Sequence, residues 1–168
     1  MKKLFAIALA LILVLTCFAG CGSKDTTDMA AIKKAGKIVV GITDYAPMDY
    51  LDENGQWTGF DAEFAQMFAE ELGVECEFYV IADWSKKFIE LETKQIDAVW
   101  NGMTITDERV AAMSVSIPYL ANKQVAITKK SEAASYGKTK DELIANAKDA
   151  IIIVEKGSAG EEIVCPVE

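Results

Sequence analysis

Apolar and polar positions along the chain follow two different periods. Residues 37–42, KIVVGI, form a short, β-branched apolar run bounded by Gly36 and a turn region, which predicts a buried strand. Residues 74–80, VECEFYV, alternate apolar and acidic positions, as a strand with one solvated face does. IDAVW at 96–100 predicts a third strand. Between the strands the spacing changes. Phe64, Phe68 and Leu72 recur every four residues until Gly73, and Trp84, Phe88 and Leu91 share one side of a second helix. Asp61 is expected to cap the first of these two helices. A short helix at 29–34 ends at Gly36, another covers 107–113, and Asn54-Gly55 between Tyr50-Leu51 and Trp57 predicts a small hairpin.

Strands that alternate with helices form a parallel sheet with right-handed crossovers, so the fold class is α/β. Ligands of such sheets bind beyond the carboxyl ends of the strands. Three loops are delivered there: TDYAPMDY at 43–50, IADW at 81–84 and NGMTITDER at 101–109. After SIPYL at 116–120 the pattern restarts. KQVAITKK predicts a strand, TKDELIANAK a helix, AIIIVEKG a strand and SAGEEIV the opening of another helix. Pro118 and Tyr119 mark the crossing between the two halves.

The N-terminus belongs to none of this. MKK, an apolar run at 4–15 and the small residues Ala19 and Gly20 before Cys21 read as an export signal, too short to span a bilayer. The small-small-Cys ending predicts a lipobox, with Cys21 acylated as the new N-terminus, although Phe18 departs from the aliphatic residue usual there. Cleavage near Ala19, with Cys21 left as a thiol, is the alternative. GSKDTTD at 22–28 is a small, polar tether.

Charge narrows the partners. Removing a leader that carries Lys2 and Lys3 takes the formal charge from −9 to −11, and so acidic a surface repels nucleic acid. With no histidine, the commonest metal ligand and general base are both missing. Cys76 and Cys165 lack metal-ligand spacing; they are read as unpaired, with a disulfide as the alternative. Asp52, Asn54, Gly55 and Asp61 imitate a calcium loop, but Tyr50 at its first position offers no carboxylate. No metal and no cofactor is expected.

Arg109 is the only arginine against sixteen lysines. Thr106 suits a helix N-cap and Asp107 and Glu108 suit the first turn, which puts Arg109 where the helix dipole disfavours a cation by ~0.3–1 kcal/mol. A guanidinium beside glycine-rich backbone makes a carboxylate receptor, because its planar fork matches both oxygens. Gly102 lets a ligand approach the backbone, and the Thr104 hydroxyl can meet an ammonium or a carboxylate. The alternative is a structural Arg109 paired with Asp107, Glu108 or another surface acid. Tyr45 and Trp84 can wall an apolar slot, although Trp84 also fits the core; Trp57 and Trp100 read as packing.

The runs GITDYAPMDYLDENGQWTGFDAEFAQMFAEELGV, ADWSKKFIELETKQIDAVWNGMTITDERV and SIPYL resemble the polar amino-acid-binding proteins of ABC importers, the family-3 extracellular solute-binding proteins. GMTITDER is the most distinctive of these. The resemblance implies a type II periplasmic-binding-protein-like fold, two α/β lobes joined by a hinge that close on an amino acid and present it to an ABC permease in the membrane. It divides the chain into a lipoprotein signal peptide (1–20), a tether (21–28), a first lobe (29–117) and a hinge crossing with an incomplete second lobe (118–168). By position, Arg109 would clamp the α-carboxylate with the Thr104 amide. The Gly102 carbonyl and Thr104 hydroxyl would meet the α-ammonium, Tyr45 and Trp84 would form the aromatic wall, and Asn101 would face the site. Ser158 and Ala159 would offer second-lobe amides, and Glu155 would touch the ligand side chain.

Members of that family are longer, so the resemblance also implies a C-terminal truncation that weakens the binding competence of the chain itself. The expected product is a lipid-anchored, extracytoplasmic monomer that binds and does not catalyse. Two alternatives share the fold: a dehydratase-like or transglycosylase-like enzyme, and the sensor module of a receptor.

Overall fold

A computed structural model of the protein describes residues 27–165; the leader, Cys21 and most of the tether lie outside them. Helix α1 (Asp28–Ala35) is capped by the Thr27 side chain and closed at Gly36. It leads into β1 (Lys37–Ile42), where Ile38, Val40 and Ile42 are almost wholly excluded from water. The hairpin β2 (Tyr50–Leu51) and β3 (Trp57–Thr58) turns through Asn54-Gly55. Asp52 stabilises that turn by accepting from the Asn54 and Gln56 amides. Its carboxylate thus serves the hairpin, and no cluster of three potential metal-ligating side chains occurs among the described residues.

Helix α2 (Phe60–Leu72) ends where Gly73 turns left-handed, at the expected place. Two details differ from expectation. The N-cap is Gly59, while Asp61 lies inside the first turn and is buried. The face turned to the sheet is Ala62, Ala65 and Ala69, at 0–1% exposure, and Phe64 and Phe68 are displaced to the flank, each 38% exposed. Small side chains let the helix approach the sheet closely, whereas Phe64 packs edge-on and Phe68 at a tilt against Trp100.

Strand β4 (Glu75–Val80) runs parallel to β1 along its full length, and β5 (Ala98–Val99) pairs parallel with β1 on the other side. The sheet order β4-β1-β5 makes β1 the central strand. Between β4 and β5 lie a 3-10 turn, Trp84–Lys86, and helix α3 (Lys87–Glu92). Helix α4 (Asp107–Ala112) follows β5 and is capped by Thr106.

Beyond residue 117 the helices α5 (Lys140–Asn146) and α6 (Ala159–Val164) form as expected, the first with a full capping box between Thr139 and Glu142. The two strands expected in KQVAITKK and AIIIVEKG do not form. Neither segment joins a sheet among the described residues, and Ile127 and Ile151 stand 92% and 95% exposed. A strand needs a neighbour for its backbone groups, and neither segment has one. Cys76 and Cys165 are free; burial pushes the Cys76 thiol up to about 11, so it is inert at neutral pH.

Candidate functional site

The carboxyl ends of β1, β4 and β5 open onto one cleft of about 470 Å³. Its sheet-side rim is Thr43, Asp44 and Tyr45 after β1, Trp84 after β4, and the loop from Asn101 to Thr104 with Arg109 after β5. The opposite rim comes from the region after residue 117: Asn122, Lys123, Gln124 and Val125, then Ile153, Glu155, Ser158, Ala159 and their neighbours. All nine residues singled out by sequence therefore stand around this one cleft. A second groove of about 490 Å³ lies beside the β2–β3 hairpin, lined by Gln56, Trp57, Glu63 and Cys76, away from the strand ends.

Arg109 is 2% exposed, an unusual state for the most strongly charged side chain of the set. One end of its fork, Nη1, donates to the Thr104 carbonyl at 2.8 Å. The other, Nη2, donates to Glu162 Oε1 at 2.6 Å and to the Gly157 carbonyl at 3.3 Å. Nε is buried with no partner. Asp107 and Glu108 do not pair with it; its partner is another surface acid, Glu162, fifty-three positions along the chain, which is the pairing the structural alternative allowed.

The loop before Arg109 is held from both sides. Asn101 lines the cleft but turns its amide to Thr43, accepting from the Thr43 N–H at 2.8 Å and donating to its hydroxyl at 2.8 Å. Its function in this geometry is to brace the β1 loop against the β5 loop. The Gly102 carbonyl accepts from Asn122 Nδ2 at 3.1 Å, and Thr104 Oγ1 accepts from Asn122 Nδ2 at 3.4 Å and from Gln124 Nε2 at 3.2 Å. Trp84 is 7% exposed and packs with Ile81 and Ile96, so it is core and cleft wall at once. Tyr45, 54% exposed, stands at the mouth. Across the cleft the Ser158 amide is spent on the Glu155 carbonyl at 3.2 Å, and its hydroxyl caps Glu161.

Sequence reasoning missed two groups. Lys87, 2% exposed, sits over the Trp84 and Phe88 rings and donates to the Gly157 carbonyl at 3.0 Å. Burial, then the nearby Arg109 charge, lowers its pKa. Two buried cations thus converge on one second-region carbonyl. Gly157 permits this: its φ is +74°, and a Cβ there would lie 2.7 Å from the Ser85 Cα.

The second group is Asp49, Asp61 and Tyr119. Both carboxyls are 0% exposed; Asp61 accepts from the Tyr119 hydroxyl at 2.8 Å, and neither oxygen of Asp49 has a partner. Burial, then the Asp61 charge, pushes Asp49 up to about 7. Burial also raises Asp61 and Tyr119. The Tyr119 bond ties residue 119 to the first turn of α2. Asp61 reads in sequence as a cap acid, and only burial sets it and Asp49 apart.

A family model described as bacterial extracellular solute-binding proteins, family 3, matches residues 38–163. The L-cystine-binding protein TcyJ of Escherichia coli (strain K12) is 34% identical over 140 residues, 81% of this chain and 52% of the relative. The chain thus spans about half the length of that curated relative. Most of the curated relatives carry binding-protein names, with a dehydratase and a transglycosylase also among them. Among solved structures, the ancestral amino acid-binding protein AncCDT-1, a precursor of cyclohexadienyl dehydratase, is 41% identical with a TM-score of 0.54, over 56% of this chain and 41% of that one. A mutant of the arginine-bound form of domain 1 from TmArgBP is 39% identical with a TM-score of 0.52, over 55% of this chain and 71% of that one. The architecture around the cleft is therefore that of the type II periplasmic-binding-protein-like amino-acid binders.

Proposed function

We propose, from the premise that this chain belongs to the bacterial extracellular solute-binding proteins of family 3, that it captures a zwitterionic α-amino acid outside the cytoplasm and hands it to an ABC permease. The observation that carries this reading is the state of Arg109: the only arginine in the chain, 2% exposed at the floor of the cleft, with Nε buried and unpartnered. Its Nη2 already pairs with Glu162, but the buried Nε has no acceptor, and a carboxylate fits that planar edge with two oxygens. The Gly102 carbonyl and Thr104 Oγ1, which here accept from Asn122 and Gln124, are the acceptors for the α-ammonium, and Tyr45 and Trp84 flank the space for the carbon skeleton. With the Ser158 amide already engaged, the second-region contribution falls to the Ala159 amide and to Glu155.

A Cys21 lipid anchor, a monomeric state and the division into lobes at 29–117 and 118–168 complete the proposed picture of a membrane-tethered receptor. The arginine-bound domain 1 neighbour supports amino-acid binding that rests mainly on the loops at the strand ends.

An enzyme on the same fold finds less support. The paired buried carboxyls, Asp49 and Asp61, are 0% exposed and cannot touch a substrate in the cleft. The test is Arg109→Lys, which exchanges a fork for a point charge. Calorimetry should show amino-acid affinity falling more than tenfold, about 1.4 kcal/mol. Unchanged affinity removes Arg109 from the carboxylate site.

A further inference from the structure

Both polar ends of the proposed receptor are already in contact with side chains of the same chain. At the carboxylate end, Glu162 Oε1 stands 2.6 Å from Arg109 Nη2. Its hold is one-pronged. The Nε and Nη2 donors form the edge of a guanidinium that a carboxylate engages with two oxygens, yet here Nε is left buried without a partner. At the ammonium end, Asn122 Nδ2 donates to the Gly102 carbonyl and to Thr104 Oγ1, the two acceptors assigned above to the ligand nitrogen. Both side chains come from beyond residue 117, and both are more exposed than the groups they contact. Asn122 is exposed and the Glu162 side chain is 37% exposed, while the Arg109 side chain they help enclose is at 2%.

We infer that Asn122 and Glu162 are tethered placeholders, an amide nitrogen and a carboxylate that occupy the ammonium and carboxylate positions until an amino acid displaces them. The inference rests on the amino-acid reading of the cleft. Displacement is favoured for a whole zwitterion. An ammonium donates more strongly than a neutral amide, and a free carboxylate can satisfy Nε where Glu162 does not. Without ligand, the placeholders keep the buried Arg109 charge compensated. They also compete with every ligand, because a tethered group is present at high local concentration. The competition acts as a filter: a ligand with only one of the two polar ends dislodges only one placeholder. Release of Glu162 also removes the ion pair between α6 and Arg109, leaving the Gly157 carbonyl as the remaining bond of that turn to Lys87 and Arg109, so occupancy of the cleft is reported to the second region.

The experiment compares the unaltered chain with Glu162→Gln, Asn122→Ala, the double variant, and Glu108→Gln as a charge control that does not touch Arg109. The twenty protein L-amino acids are screened by thermal shift, and the best binder and its carboxamide are taken to calorimetry. Glu162→Gln should tighten the amino acid by roughly threefold to tenfold, the worth of one ion pair. The carboxamide, having no carboxylate, should gain nothing from Glu162→Gln. Asn122→Ala should tighten both ligands by a smaller factor, the double variant should exceed either single one, and Glu108→Gln should change nothing. If Glu162→Gln and Asn122→Ala leave affinity unchanged or lower it while Arg109→Lys still weakens binding more than tenfold, the placeholders fall and the amino-acid reading stands. An equal gain for the carboxamide reduces the Glu162 effect to general charge and overturns the inference. Absence of binding in every variant overturns both.

Discussion

Val40 and Ile42, in KIVVGI, are fully buried, whereas Ile151 and Ile153, in AIIIV, stand 95% and 92% exposed. The two runs have nearly the same composition and the same strand propensity. What separates them is company. β1 has β4 on one side, β5 on the other and the alanine face of α2 above it. The 151–153 run has no ladder partner among the described residues. Strand propensity is largely a record of packing against neighbours, and without them it yields no strand. The first region is thus held by its own core. The second leans on it through side-chain contacts: the Gly157 turn over Lys87 and Arg109, the Glu162–Arg109 ion pair, the Asn122 and Gln124 bonds to the Gly102–Thr104 loop, and the Tyr119–Asp61 hydrogen bond.

The sharpest way to break this contrast is to truncate one isoleucine in each region. Ile42→Ala should cost about 2–5 kcal/mol in urea unfolding, as a large-to-small change in a closed core does. The same change at Ile151 should stay within about 0.5 kcal/mol. Equal losses would mean that the second region has a core after all.

Next comes pH, which acts on the seam between the regions. Folded Asp49 holds its proton up to about 7, while the unfolded carboxyl releases it near 3.8. The native state therefore binds more protons in that window, so stability is greatest below it and declines as pH rises through it. Asp61, raised in the same direction, adds to the slope. The loss should be on the order of 1–3 kcal/mol across the window, and Asp49→Asn should flatten it. A profile that rises with pH and ignores Asp49→Asn would separate the pair from the seam.

Smaller still is the effect of Gly157→Ala. The turn has no room for a Cβ against Ser85 and sits at positive φ. Hydrogen exchange should show residues 155–165 less protected by about 1–2 kcal/mol with β1 unaffected. Uniform loss of protection would instead make the two regions one cooperative unit.

Much of the first region was legible in sequence because its signals are local. Gly36 and Gly73 stop helices, Asn54-Gly55 turns the hairpin, and Thr106 caps α4, each within a few residues of the feature it determines. The cleft was legible for a topological reason, since strand order alone sends three loops to one edge. Arg109 stood out because it breaks both the lysine habit of the chain and the dipole preference of its helix. What stayed hidden depends on distance. Nothing near Asp61 announces that it is sealed under Tyr119. Lys87 looks like a surface lysine until the Gly157 turn covers it. Asn122 and Glu162 acquire meaning only opposite Gly102 and Arg109.

The sequence alone therefore determined the order and kind of the elements up to residue 117, the edge of the sheet to which three loops are sent, and the one guanidinium chemically suited to an anion. These follow from backbone sterics, hydrophobic period and side-chain chemistry, all of which act over a turn or two. Only the tertiary structure decided which of two equivalent apolar runs becomes a strand, which carboxyls lose their water, and which side chains fill the receptor first. Those outcomes depend on desolvation and on contacts across dozens of residues, and such contacts exist only once the chain has folded.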